Sequence, residues 1–165
     1  MSTHPFNVLF LCTGNSARSI LAESYLNQIG KGRFRAFSAG SFPKGKVNPL
    51  SLEILIAHNI ASPTARSKSW DEFAEPGAPH LDLVITVCDN AAGEVCPIWF
   101  GSPQKAHWSF PDPAAATGPH AEQLAYFEKV FAHIRFAIDQ LVNLPLEELD
   151  SKTSQRRISA IVGAI

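Results

Sequence analysis

Apolar residues along the chain follow two periodicities. Short, nearly continuous apolar runs occupy 6–11 (FNVLFL), 34–39 (FRAFSA) and 81–87 (LDLVITV), and runs of this kind bounded by turn residues predict buried strands. The third is the strongest of them, being almost wholly apolar and rich in β-branched residues. A further short strand is expected over 105–108. Between these runs Ile20, Leu21, Tyr25, Leu26 and Ile29 recur at helical spacing until Gly30 and Gly32 interrupt them. Asn48-Pro49 has the form of a cap followed by proline at the first helical position, predicting a helix to about residue 58. Ser69-Trp70-Asp71-Glu72 has the form of a capping box and predicts a short helix. Leu124, Phe127, Phe131, Ile134, Ile138 and Leu141 draw one apolar stripe along an amphipathic helix over 121–142. Pro145 closes it, and 146–165 is expected to form a last helix.

Strands alternating with helices long enough to cross over imply an α/β fold with a parallel sheet covered on both faces. In such sheets ligands bind at the carboxyl ends of the strands. Cys12 and Cys88 both stand at that end, after different strands, where they can meet. No repeat or low-complexity linker divides the chain, so residues 1–165 are expected to form one domain. With 45% hydrophobic and 18% charged residues in 165, the chain can bury a real core. A net charge of −1 draws neither nucleic acid nor an anionic membrane. No apolar run reaches the roughly 18 residues of a membrane span, and 1–11 does not read as a signal peptide. Three cysteines suit a reducing compartment, the cytoplasm, better than a disulfide-stapled scaffold.

The chemistry concentrates in Cys12-Thr13-Gly14-Asn15-Ser16-Ala17-Arg18-Ser19, a loop leading from a strand into a helix. Open amides at a helix start can converge on one anion, and the helix dipole favours negative charge there. Arg18 adds a planar fork of donors suited to two oxygens of a tetrahedral anion. The same field is expected to lower the Cys12 pKa into a reactive range. Ser19 is placed to donate to the thiolate and Asn15 to tie the loop down. A small buried cysteine before an ordinary capped helix is the plainer alternative, and this combination of residues disfavours it.

The Cys-x5-Arg-Ser loop after the first strand resembles that of the low-molecular-weight protein tyrosine phosphatases and the arsenate reductases built on their fold. Glu23, Ser38-Ala39-Gly40 and Asp112-Pro113 fall where that family has its motifs, so the resemblance runs from residue 6 to about residue 142. It implies a three-layer sandwich around a short parallel sheet of about four strands. It also implies Cys12 as nucleophile, residues 13–19 as the oxyanion cradle, and Asp112 as general acid. Taken alone, Asp112 before proline reads as a turn residue.

Cys12, Arg18 and Asp112 serve a phosphatase and a reductase alike. Cys88 and Cys96 distinguish them, since a phosphatase needs neither. The resemblance implies a relay in which Cys88 attacks the thiol–arsenate adduct and Cys96 takes over the disulfide. An external thiol reductant, thioredoxin or glutaredoxin with glutathione, then restores the thiols, and no tightly bound cofactor is expected. Ala17 and Ile20 stand where many of the phosphatases carry cysteine and proline, which points away from a typical phosphatase. Two alternatives remain: a phosphatase, and a non-enzymatic redox or phosphoprotein-binding module. Some related reductases hold a potassium ion near the loop, and Asn15, Glu23 and Ser38 match those positions. The stretch 66–70, basic and aromatic, reads as a solvated loop in preference to a border of the active-site mouth, and His107-Trp108 as residues lining either the site or the core. Two cysteines with seven residues between them and no nearby histidine do not make a zinc site.

Overall fold

The computed structural model describes residues 5–63, 65–88, 99, 103–146 and 151–163. Its sheet has four parallel strands, β1 (Phe6–Leu11), β2 (Phe34–Ala39), β3 (Leu83–Thr86) and β4 (Gln104–His107), in the order β2-β1-β3-β4. The α-helices are α1 (Arg18–Ile29), α2 (Pro49–Ala57), α3 (His120–Val142) and α4 (Ser151–Gly163).

Alternation along the strands sorts the core into two clusters, one on each face. Val8, Phe10, Ala36, Leu83 and Ile85 turn toward a large cluster completed by Ile20, Leu21, Ile54, Leu55, Phe131, Ile138 and Ile158 from the four helices. Leu9, Leu11, Ala39 and Val84 turn the other way, against Phe73, Leu81 and Trp99. The sandwich implied by the resemblance is therefore present, and among the described residues its second outer layer includes a short 3-10 turn (Trp70–Phe73). At that turn the Ser69 hydroxyl accepts from Asp71 N–H, one residue earlier than a capping box requires, and the Glu72 carboxylate turns away to Arg66.

β3 is shorter than its apolar run. Before it, Asp82 bonds the Asn7 amide through its side chain and the Asn7 carbonyl through its own N–H, so the chain enters the sheet by a side-chain clasp. The edge strand β2 is blunted in a similar way. Asn27 of α1 bonds both backbone groups of Ala36, at 3.1 and 2.8 Å, as a neighbouring strand would. Trp108 is fully buried, and its ring N–H donates to the Ile158 carbonyl at 2.8 Å, fastening α4. It packs in the core beside Phe10 and Phe110, while His107 lies against Thr86. Among the described residues no helix is long and apolar enough to cross a membrane.

Phe131 sits at the centre of the large cluster, edge-on to Tyr25 and His58. Phe131→Ala is expected to lower the unfolding free energy by about 3–5 kcal/mol in urea titration. A loss under about 1 kcal/mol would mean that this helix is not the core's main cover.

Candidate active site

β1 is paired on both sides, with β2 and with β3, and runs parallel to each. Leu11 stands opposite Thr86, and the pairing extends one step as Val87 N–H donates to the Leu11 carbonyl at 2.8 Å. Two residues beyond each of those partners lie Thr13 and Cys88, and the Thr13 amide donates to Cys88 Sγ at 3.3 Å. The register of two neighbouring strands thus delivers the second cysteine to the first. Cys12 and Cys88 are both buried, 4% and 3% exposed, and Cys88 is the strongest influence on the Cys12 thiol.

The loop after β1 turns its carbonyls outward. Thr13 O accepts from Phe42 N–H, Gly14 O from Lys44 N–H and the Ser67 hydroxyl, and Ser16 O from Asn48 N–H and the Ser51 hydroxyl. With the oxygens tied to the surroundings, the amides are left to face inward, the arrangement of an anion nest. α1 begins at Arg18 with no side-chain cap, so its first-turn donors stay open as well. Asn15 takes a left-handed conformation, φ 46°, which its short polar side chain tolerates. That side chain is buried and spans two elements, donating to Ser19 Oγ at 2.8 Å and accepting from the Lys68 amide at 2.9 Å. Gly40 is required here. A Cβ at that position would press into the Thr13 and Cys12 carbonyl oxygens, so only glycine lets the two loops approach.

Arg18 donates to the Phe110 carbonyl at 3.0 Å, and its other terminal nitrogen lies 4.0 Å from Asp112 Oδ1. Its Nε is buried and finds no acceptor among the described residues, a donor left for an incoming oxygen. Asp112 is half exposed. Its Oδ1 also caps a 3-10 turn (Pro113–Ala115) through the Ala114 amide, so the turn role and the position beside Arg18 coexist. Cys96 lies outside the described residues.

The expected lowering of the Cys12 pKa is not what this arrangement produces. The hydrogen bond with Cys88, reinforced by burial, pushes it up, and the opposing pull of Arg18 and the Gly14 amide is the weaker. The two thiols titrate as a pair, so a negative charge on Cys88 opposes ionisation of Cys12. A second correction concerns 66–70, read as a solvated loop. Lys68 is 7% exposed, Ser67 reaches Gly14, and Lys68 and Trp70 bracket Gly40 through backbone bonds. Nothing in the local pattern distinguishes a buried lysine between two serines from a surface one.

Glu23 of α1 is 3% exposed and accepts the Ser38 hydroxyl at 2.6 Å. Burial raises its pKa, while Lys68, the Ser38 hydrogen bond and Arg66 hold it down. These residues do not fit a resident potassium ion. The positive charge nearest in effect to Glu23 is already the buried Lys68 ammonium, which leaves a resident cation no carboxylate to balance.

The family model for low molecular weight phosphotyrosine protein phosphatase matches residues 7–155. The chain belongs to that family. Within it the chain is 35% identical over 124 residues to an arsenate reductase of Bacillus licheniformis, a match covering 74% of this chain and 85% of that one. An arsenate reductase from Archaeoglobus fulgidus superposes with a TM-score of 0.67 at 26% identity, covering 83% of this chain and 99% of that one. A low molecular weight protein tyrosine phosphatase from T. tengcongensis gives 0.64 at 25% identity, over 87% and 99%. A reductase and a phosphatase of the family thus both superpose on this frame.

Replacing Cys88 by alanine removes the largest influence holding the Cys12 proton. The pH profile of Cys12 alkylation is expected to move to lower pH in Cys88→Ala. An unchanged profile would mean that burial alone controls this thiol.

Proposed function

We propose that this protein reduces arsenate to arsenite in the cytoplasm, with electrons drawn from its own thiols and replaced by an external thiol reductant. The observation that carries the reading is the buried Cys88 thiol beside the Cys12 loop, its sulfur accepting from the Thr13 amide at 3.3 Å. Hydrolysis of a phosphate ester has no use for a second thiol there, whereas a two-electron reduction needs one within bonding reach of the first.

The loop amides, from Thr13 to Ser19, and Arg18 hold the oxyanion. Cys12 sulfur attacks arsenic, and the thiol condenses with the dihydrogen arsenate anion. A sulfur–arsenic bond forms, an arsenic–oxygen bond breaks, and one water departs, leaving a thiol–arsenate adduct of unchanged charge. Asp112 relays the thiol proton to the departing oxygen. Cys88 then attacks Cys12 sulfur. The S–S bond forms, the S–As bond breaks, and its electron pair stays on arsenic, which leaves as arsenite. Two thiols are oxidised and pentavalent arsenic becomes trivalent. Cys96 next attacks Cys88 sulfur and frees Cys12, and the resulting disulfide is passed to a thioredoxin-type or glutaredoxin–glutathione reductant. Thr13 serves the second step, because its amide already points at Cys88 sulfur.

Cys88→Ser is expected to abolish arsenite release while hydrolysis of a phenyl phosphate ester persists, since Cys12, Arg18 and Asp112 remain. Arg18→Ala is expected to lower both activities by roughly 10²–10³-fold, and Asp112→Asn by about 10²–10⁴-fold. Arsenite release by Cys88→Ser at the wild-type rate would overturn the relay.

A further inference from the structure

Buried lysines are rare, and one that lines the same cavity as a buried carboxylate calls for a reason. Lys68 is clamped on all sides. Its amide donates to Asn15 Oδ1, its carbonyl accepts from Gly40 N–H at 2.9 Å, and its Nζ donates to the Arg66 carbonyl at 3.0 Å. Through Asn15 it reaches Ser19 and the left-handed turn of the oxyanion loop. The ammonium and the Glu23 carboxylate also act on each other electrostatically, and Glu23 in turn holds Ser38 at the end of β2. Both residues line a cavity of about 670 Å³ beside that edge strand, with Arg35, Arg66, Phe37 and Glu72. The cavity is open to solvent, so dissolved ions have a route to the pair.

We propose that Lys68 is a positioning residue for the oxyanion loop, its ammonium supplying from within the chain the positive charge that Glu23 demands while its backbone fixes Asn15. The inference rests on the reading of the Cys12 loop as the oxyanion site. It makes the loop's order independent of any monovalent cation, in place of the potassium that Asn15, Glu23 and Ser38 suggest by position. Lys68 touches no reacting atom. It acts through Asn15 and Glu23 on the geometry of the amides.

The test reads binding rather than turnover, so it stands apart from the reductase assignment. The affinity for inorganic phosphate is measured by protection of Cys12 from alkylation, in potassium chloride and in choline chloride at equal ionic strength. The wild type is expected to bind phosphate equally in both. Lys68→Ala is expected to bind about tenfold more weakly in choline and to recover most of that loss in potassium, which can enter through the cavity. Lys68→Met, which fills the space without the charge, is expected to be weak in both salts. The proposal is overturned if Lys68→Ala binds within about twofold of wild type in choline, or if its loss is untouched by potassium. It is also overturned if the wild type itself tightens by more than about threefold in potassium. Should Lys68→Ala melt below the assay temperature, the neutral pair Glu23→Gln/Lys68→Met takes its place. Affinity within about threefold of wild type supports the charge pairing, and affinity as weak as Lys68→Met alone sinks it.

Discussion

The adjacency of β1 and β3 in one parallel sheet is the constraint from which the site follows. Parallel strands end on the same edge, and the register of Leu11 with Thr86 sets the residues beyond them side by side. Cys12 and Cys88, seventy-six positions apart in the sequence, become neighbours at one sheet edge, the Thr13 amide bonding the Cys88 sulfur. Since β1 is flanked by β2 on its other side, the same edge also receives Gly40, whose missing side chain lets the β2 loop press against the Cys12 loop.

Around that edge the molecule spends its polar contacts on direction. Donors from the loop over 42–48, from α2 and from Ser67 take the outward carbonyls of the Cys12 loop, and the Asn15 side chain holds the turn between them. A loop so tied needs no ligand to be organised, which is what preorganised recognition of an anion requires. Two opposite charges, Glu23 and Lys68, are buried behind it. Each would be unfavourable alone, and together they link α1, the end of β2 and the segment after α2.

Much of this was legible in the sequence, and the reasons differ by element. The apolar runs at 6–11 and 34–39 and the stripe of α3 report their own burial, so their positions followed from periodicity. The Cys12–Ser19 loop was legible because glycine, asparagine, arginine and serine at those spacings suit one purpose. The depth of β3 was less so, since the Asp82 clasp that shortens it depends on a partner seventy-five residues away. Lys68 was missed for the same reason: its burial is decided by Asn15, Gly40 and Glu23, none of them near it in the chain. The direction of the Cys12 pKa also hinged on a distant neighbour. Loop, helix dipole and arginine all argue downward from local sequence, and the opposing thiol enters only through the sheet.

The most direct measurement is a single turnover without external reductant. Reduced protein is mixed with one equivalent of arsenate, and arsenite, free thiols and disulfide-linked peptides are counted. The account predicts about one arsenite per chain, the loss of two thiols, and a disulfide that includes Cys88. Full retention of all three thiols with no arsenite formed would contradict it and leave a phosphatase whose second thiol has no part in its chemistry.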